Sequence, residues 1–115
     1  MFEAWGEQMA RLARHSNVTV KVGGFGMPLF GFDFSSRPTP PDSQQIAIAI
    51  RPYVDKCINL FGAERCMFES NFPVDKGMFS YQVLWNGFKR LAKGCSADEK
   101  TAMFSATAER VYRLV

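Results

Sequence analysis

The side chains best suited to chemistry lie at the ends of two short apolar runs that predict β-strands. Lys21 lies in the alternating, β-branched run 18–22, and Glu69 ends the apolar run 65–69. Asn71 follows two residues later, so strand alternation directs Glu69 and Asn71 to the same side. An amide does not ionise, so Asn71 can be neither a proton acceptor nor an anionic metal ligand. It can still donate and accept hydrogen bonds, and so orient a carbonyl group, a water molecule or a carboxylate.

The cysteine and histidine content argues against a zinc site or a disulfide framework. The chain has three cysteines, Cys57, Cys66 and Cys95, with no CxxC spacing, and a single histidine, His15. His15 ends the first predicted helix, where a histidine facing the helix dipole is the more ordinary role. We therefore predict no metal ligand in this chain, and reduced thiols of the kind found in the cytoplasm.

The composition is that of a globular chain and favours neither nucleic-acid nor membrane partners. Hydrophobic residues make up 47% and charged residues 22%, and the formal net charge is +3. The basic excess lies in residues 88–115, where acidic residues are interspersed on predicted helices, as on a solvated helix surface. The uncharged run 22–32 contains four glycines and a proline and is not expected to span a bilayer.

Hydrophobic periodicity predicts a helix, a strand, a long loop, a helix, a strand and two further helices. These elements fall at residues 2–14, 18–22, 23–42, 43–61, 65–69, 80–93 and from 96 onward. We expect Ser43 to cap the second helix and Pro52 to kink or break it. Ser96 and Glu99 have the spacing of a capping box.

The order of elements predicts part of a larger α/β fold. A strand–helix–strand order indicates a parallel pair of strands. Two parallel strands do not complete a domain, because parallel sheets are normally covered on both faces. The loop 23–42 is unusually long for a compact domain and carries four glycines, four prolines and several large apolar side chains. Such a loop is expected to fold over something rather than to act as a flexible linker.

The stretch 61–76, FGAERCMFESNFPVDK, resembles the last barrel strand of the amidohydrolase-related metal-dependent hydrolases. This TIM-barrel family includes decarboxylases and 2-pyrone-4,6-dicarboxylate lactonases. Three further stretches are similar to the family in the same order: NVTVKVGG at 17–24, RPY at 51–53 and TAERVYRL at 107–114. The resemblance implies an α/β fold in which residues 1–115 form the C-terminal part of a TIM (β/α)8 barrel domain, about strands seven and eight with flanking helices.

The resemblance also implies where the active site lies. In such barrels it is built from the segments that follow the C-terminal ends of the strands, here 23–42 and 70–79. Asn71 takes the position of a family aspartate that binds metal or takes a proton from the attacking water. Asn71 and Glu69 are therefore the predicted catalytic residues. The predicted substrate-binding residues are Lys21, Met27, Phe30 and Phe72.

Lys21 and Glu69 are expected to form an ion pair inside the barrel, where Glu69 replaces part of the missing aspartate. The alternative is that Glu69 is a structural charge with no chemical role. Removing one partner of a buried pair leaves the other charge uncompensated. We therefore predict that Lys21→Met lowers the free energy of unfolding of the complete protein more than Lys21→Met combined with Glu69→Gln. Denaturant unfolding of both variants checks this. Equal losses in the free energy of unfolding would contradict the predicted ion pair.

By this resemblance the complete protein adds water to an ester, a lactone or an amide of a small-molecule substrate. Full-length members can use a divalent metal, zinc or similar, and Asn71 at the aspartate position leaves a metal-independent or remodelled site open. This chain alone is expected to hold no metal and to be inactive. Two other interpretations stay open: a non-catalytic binding or interaction module, and an inactive gene fragment that keeps part of the barrel. In each case the exposed barrel edges are expected to self-associate.

Overall fold

The structure is a computed structural model that describes residues 1–114, and it is a helix-rich α/β arrangement. The helices are α1 (Phe2–Ala13), α2 (Ser43–Phe61), α3 (Tyr81–Leu91), α4 (Ala97–Thr101) and α5 (Thr107–Tyr112). The strands are β1 (Val20–Val22) and β2 (Cys66–Phe68). The predicted order of helices and strands is confirmed. No helix in residues 1–114 combines the length and the apolar character that crossing a bilayer requires.

The two strands pair in parallel, as the element order predicts. Val20 is opposite Cys66, Lys21 opposite Met67 and Val22 opposite Phe68. β1 is shorter than the predicted run because Val18 is engaged elsewhere. Its N–H donates to the carbonyl of His15, and its own carbonyl accepts a hydrogen bond from the Arg65 guanidinium.

Helix α2 differs from its prediction at two points. It begins at Ser43, so the preceding residue Asp42 is its N-cap. The Asp42 carboxylate accepts from the N–H of Gln45 at 2.8 Å, and the Gln45 side chain accepts from the N–H of Asp42 at 2.9 Å. Pro52 lies inside the helix without breaking it. A proline at this position leaves one carbonyl unbonded four residues earlier, at Ile48, whose side chain is exposed and where solvent has access.

The chain divides into two compact units. The first, here called the strand unit, comprises Met1–Val22, Pro52–Phe68 and the residues from Cys95 onward. Its buried side chains include Val22, Val54, Cys57, Phe61, Cys66, Met67, Phe68 and Met103. The guanidinium of Arg65 ties this unit together by donating to four backbone carbonyls, those of Ala13, His15, Val18 and Phe61.

The second unit, here called the loop unit, comprises Gly23–Arg51 and Glu69–Gly94. It contains both segments that follow the strands in sequence. The 23–42 segment is folded rather than flexible, with short 3-10 turns at Pro28–Phe30 and Phe34–Ser36. Its aromatic rings form a contact series in which neighbouring centroids lie 5.1–6.3 Å apart: Phe25, Phe30, Phe32, Phe34 and Phe79. These rings account for the apolar content of the loop.

The C-terminal helical segment confirms one prediction and departs from another. Ser96 and Glu99 form the predicted capping box at the start of α4. The single predicted helix is interrupted by a wider π-helical turn at Ala102–Ala106 before α5 begins. Just after this turn the buried hydroxyl of Thr107 donates to the carbonyls of Ala63 and Glu64, at 3.2 and 3.3 Å. This hydroxyl therefore fastens the segment to the residues that precede β2.

Candidate functional site

A buried carboxylate, that of Asp75, organises the segment that follows β2. Its side chain is 1% exposed and lies in the 3-10 turn Val74–Gly77. One carboxylate oxygen, Oδ1, accepts from the side-chain Nδ2 of Asn71 at 2.9 Å, and Oδ2 accepts from the backbone N–H of Gly26 at 3.0 Å. Asp75 therefore connects the two segments that follow the strands within the loop unit.

Asn71 is held in an uncommon backbone conformation next to this carboxylate. Its φ is 55°, in the left-handed region that asparagine tolerates better than most residues. Its carbonyl accepts from the N–H of Asp75 at 3.1 Å, and its side chain donates to the carboxylate of the same residue. Two hydrogen bonds between Asn71 and Asp75 thus close a small turn and fix the Asn71 side chain. The Phe72–Pro73 peptide bond within this turn is cis.

Two glycines allow the 23–42 segment to approach this turn closely. A Cβ at Gly23 would lie 2.2 Å from Cγ of Glu69 and 2.5 Å from its carbonyl oxygen. A Cβ at Gly26 would lie 2.6 Å from Cγ of Asp75. No side chain fits at either contact, so the close approach of the two segments requires glycine at positions 23 and 26. Glu69 and Asp75 are therefore each in contact with the backbone of the 23–42 segment.

The predicted substrate-binding side chains of the loop unit fall in different places. Phe72 lines a cleft of about 770 Å³ and packs edge-on against the ring of Tyr81, with centroids 5.4 Å apart. Met27 is 40% exposed and lies beside Gly24, on which a Cβ would be 3.9 Å from both Met27 Cγ and Asn71 Nδ2. Phe30 packs on the buried Phe25 in the aromatic series. The structure thus brings Met27 near Asn71, whereas Met27 and Phe30 are not part of the cleft lining.

The remaining aromatic and charged groups give the cleft its character. Its walls include the rings of Phe34, Phe72, Phe79 and Tyr81 and the side chains of Arg37 and Lys76. Arg37 is paired with Asp33, whose Oδ1 accepts from Nη2 at 2.9 Å and from Nε at 3.2 Å. The pair is exposed, so its contribution to stability is small.

Lys21, Glu69 and His15 are the other residues singled out by the sequence. Lys21 is exposed on β1, opposite Met67 in the register, and Glu69 is half-buried. Because Lys21 is exposed, removing one partner of the predicted ion pair is expected to lower the free energy of unfolding of this chain by less than about 1 kcal/mol. The ion pair itself stays a prediction. The side chain of His15 is exposed, and its backbone carbonyl accepts from Arg65 at 3.0 Å.

The donor set of the described chain does not fit a divalent metal. Across residues 1–114, no three histidine, cysteine, aspartate or glutamate side chains lie close enough together to hold one. Asp75 already uses both carboxylate oxygens on N–H donors, and its nearest side-chain neighbour is an amide. The site chemistry of this chain is therefore that of a neutral amide beside a buried carboxylate.

Cys57 and Cys66 do not offer a nucleophile. Burial raises the pKa of the Cys57 thiol to about 11. The pKa of Cys66 rises to about 12, through burial and then the neighbouring Cys57, partly opposed by Arg65. Only a thiolate attacks, so both thiols are inert at neutral pH. Because both pKa values lie above the ordinary 9.0, the stability these thiols contribute is complete below pH 9 and is lost as the pH rises through 11.

We predict that a thiol reagent at pH 8 does not modify Cys57 or Cys66 in the folded chain. Their side chains are 3% and 0% exposed, and their protonated form is favoured. Mass spectrometry after timed labelling checks this, with Cys95→Ser as the control, because Cys95 is half-buried and is the third thiol of the chain. Rapid labelling of the folded Cys95→Ser variant would contradict the prediction.

Sequence reasoning missed Asp75, which the structure makes the centre of the site. Asp75 contacts a residue 49 positions earlier, so no local pattern reveals the contact. A usable signal was present in the i, i+4 spacing of Asn71 and Asp75 after a strand, combined with the glycine-rich run that follows the other strand.

Comparison with known proteins identifies the class. A family model described as "Amidohydrolase" matches residues 1–114, so the chain belongs to the amidohydrolase family. The chain is also similar to an uncharacterized protein named y4mH from Sinorhizobium fredii (strain NBRC 101917 / NGR234), with 40% identity over 113 residues. The match covers 98% of this chain and 34% of that relative, so the chain spans about a third of the relative's length. No solved structure is significantly similar to the chain.

Proposed function

We propose that this chain is the C-terminal part of an amidohydrolase-family hydrolase with a TIM (β/α)8 barrel, in which it supplies about strands seven and eight and one side of the active site. The reaction is addition of water to an ester, a lactone or an amide of a small molecule. The resemblance of residues 61–76 to 2-pyrone-4,6-dicarboxylate lactonases favours a lactone or a related ester.

One observation carries the proposal. β1 and β2 are neighbouring parallel strands in register, and the segments that follow them meet at two backbone contacts, Gly23 with Glu69 and Gly26 with Asp75. In α/β barrels the segments after the strands form the active site. A polar pair built on the buried Asp75 lies in those segments and not at the opposite strand ends, which is where a catalytic face is expected.

The chain's own residues supply binding and orientation in this proposal. Asn71 orients a water molecule or the substrate carbonyl, and the rings around Phe72 contact the apolar part of the substrate. Glu69 is the ionisable group nearest in sequence to Asn71 and the candidate for taking a proton. The divalent metal of the family belongs to residues outside this chain, since the described residues offer no fitting donor set.

Partners and location form part of the same proposal. β1 and β2 each have a single strand partner within residues 1–114, so each leaves an open edge. We propose that the remaining barrel strands cover these edges, and that a second copy does so when those strands are absent. A cytoplasmic location fits the free cysteines, Cys57, Cys66 and Cys95.

A chimera tests the proposal. Residues 1–114 of this chain replace the matching segment of the Sinorhizobium relative, and the chimera is assayed against a panel of lactones, esters and amides. We expect hydrolysis of at least one lactone or ester by the chimera, and neither turnover nor stoichiometric zinc in the 115-residue chain by itself. The relative serves as the matched control. A folded chimera without hydrolysis of any panel member, or turnover with bound zinc in the chain by itself, would contradict the proposal.

A further inference from the structure

We propose that Asp75 is a positioning residue that holds the Asn71 side chain so that its amide oxygen acts in the site as a hydrogen-bond acceptor for the attacking water. The part concerning water rests on the function proposed above. The part concerning the Asn71–Asp75 pair does not, and each part has its own test.

The orientation of the Asn71 amide follows from the chemistry of its neighbour. An ionised carboxylate only accepts hydrogen bonds, so the group that lies 2.9 Å from Oδ1 of Asp75 must be a donor. The other oxygen, Oδ2, accepts from the N–H of Gly26, so Asp75 is an acceptor in both of its side-chain hydrogen bonds. Nδ2 of Asn71 therefore points to Asp75, and its oxygen Oδ1 points elsewhere.

No other described group competes for the Asp75 carboxylate. Among residues 1–114, the hydrogen bonds to the Asp75 carboxylate come from Asn71 and Gly26, and no cation pairs with it. The side chain is 1% exposed, so solvent offers no alternative donor. A buried carboxylate held by two N–H groups is a fixed acceptor, and it fixes the partner amide in turn.

The same contact explains why an amide occupies position 71. A carboxylate there would lie within hydrogen-bond distance of the buried Asp75 carboxylate. Two carboxylates so placed cannot both ionise, so they would share one proton. Asn71 avoids this repulsion and still presents one oxygen lone-pair acceptor, without the ability to take a proton from water.

Exchanging the two residues separates the hydrogen bond between positions 71 and 75 from the orientation of the Asn71 amide. In the Asn71→Asp/Asp75→Asn double variant, the amide oxygen of the new residue 75 accepts from Gly26, and its Nδ2 donates to the new carboxylate at 71. Both hydrogen bonds are retained: Gly26 still donates to residue 75, and only the bond between residues 71 and 75 has its donor reversed. In Asp75→Asn alone, residue 75 keeps its bond to Gly26 only by directing Nδ2 at Asn71, so the Asn71 amide must rotate and present Nδ2 to the site instead of its oxygen.

The first experiment measures thermal unfolding of the full chain from pH 4 to pH 8. We expect the melting temperature of Asn71→Asp to fall by about 10 °C over this range relative to the original chain, because the shared proton is lost. The double variant should follow the original chain, as should Asp33→Asn, an exposed control in the same unit. The proposed Asn71–Asp75 interaction would be overturned if the melting temperature of Asn71→Asp did not change with pH. It would also be overturned if the double variant melted no higher than Asn71→Asp at pH 8.

The second experiment measures kcat/KM in the chimera. Asp75→Asn should lower kcat/KM about tenfold or more while its melting temperature stays within a few degrees of that of the original chimera. The double variant should recover kcat/KM, because an acceptor oxygen again faces the site. Unchanged turnover in Asp75→Asn, or a loss that the double variant does not recover, would overturn the positioning role. If the original chimera has no activity, the proposed function fails, while the melting data still decide the Asn71–Asp75 pair.

Discussion

Gly26→Ala is expected to lower the free energy of unfolding by about 3–5 kcal/mol. A Cβ at this position would lie 2.6 Å from Cγ and 2.8 Å from Oδ1 of Asp75, which are distances that atoms do not adopt. Either the 23–42 segment or the buried turn must move. Both movements break the 3.0 Å bond from the Gly26 N–H to Oδ2 and leave a buried carboxylate oxygen without its donor.

Denaturant unfolding of Gly26→Ala beside Gly77→Ala measures this effect. Gly77 lies in the same turn as Asp75, yet a Cβ there meets nothing within 4 Å and its backbone is not in the left-handed region. Gly77→Ala should therefore change the free energy of unfolding by less than about 0.5 kcal/mol. Equal stability of the two variants would show that the Gly26–Asp75 contact is not part of the fold in solution.

Arg65→Met is expected to lower the free energy of unfolding by about 2–4 kcal/mol. The Arg65 guanidinium donates to four carbonyls at 3.0–3.2 Å, which close the end of α1, the turn before β1 and the end of α2. Its Cζ also lies 5.1 Å from the centroid of the Phe61 ring. Methionine keeps the apolar stem and removes all of these donors, so the strand unit loses the group that links α1 to β1.

Thermal or denaturant unfolding checks the prediction against two other variants. Arg65→Lys should recover only a minor part of the free energy of unfolding that Arg65→Met loses, because a single ammonium cannot reach carbonyls on several sides as a planar guanidinium does. Arg14→Met is the matched control, since Arg14 is exposed at the end of α1, and its loss should stay below about 1 kcal/mol. A loss for Arg65→Met no larger than that of the control would refute the linking role.

Much of the fold follows from local sequence patterns. The apolar stripes predict α1, α2 and α3 to within two or three residues, and the spacing of Ser96 and Glu99 predicts the capping box. These features depend on residues three or four apart, which a sequence displays directly. The parallel pairing of β1 and β2 follows from the strand–helix–strand order. The shortening of β1 did not follow, because it depends on Arg65, which lies 47 residues from Val18.

The candidate site was only partly accessible from the sequence. Asn71 is predicted because it follows a strand and resembles a family position, and its catalytic role stays a prediction. Phe72, the next residue in sequence, lines the cleft. Asp75 was missed because its role depends on Gly26, and a glycine's need for space appears only once its neighbour is known. Met27 and Phe30 are predicted from their apolar side chains. In the structure Phe30 lies in the aromatic series, Met27 is 40% exposed, and neither lines the cleft. Their role in substrate binding stays a prediction.

The measurement that tests the central claim most directly is kcat/KM of the chimera with and without Asn71→Ala. The claim is that the segments following β1 and β2 form one side of an amidohydrolase active site, in which Asn71 contacts the water or the substrate and Asp75 holds Asn71. We expect Asn71→Ala to lower kcat/KM about a hundredfold, while Ile48→Ala, an exposed change on α2, leaves it unchanged. Equal kcat/KM for Asn71→Ala and the original chimera, with both proteins folded, would contradict the claim.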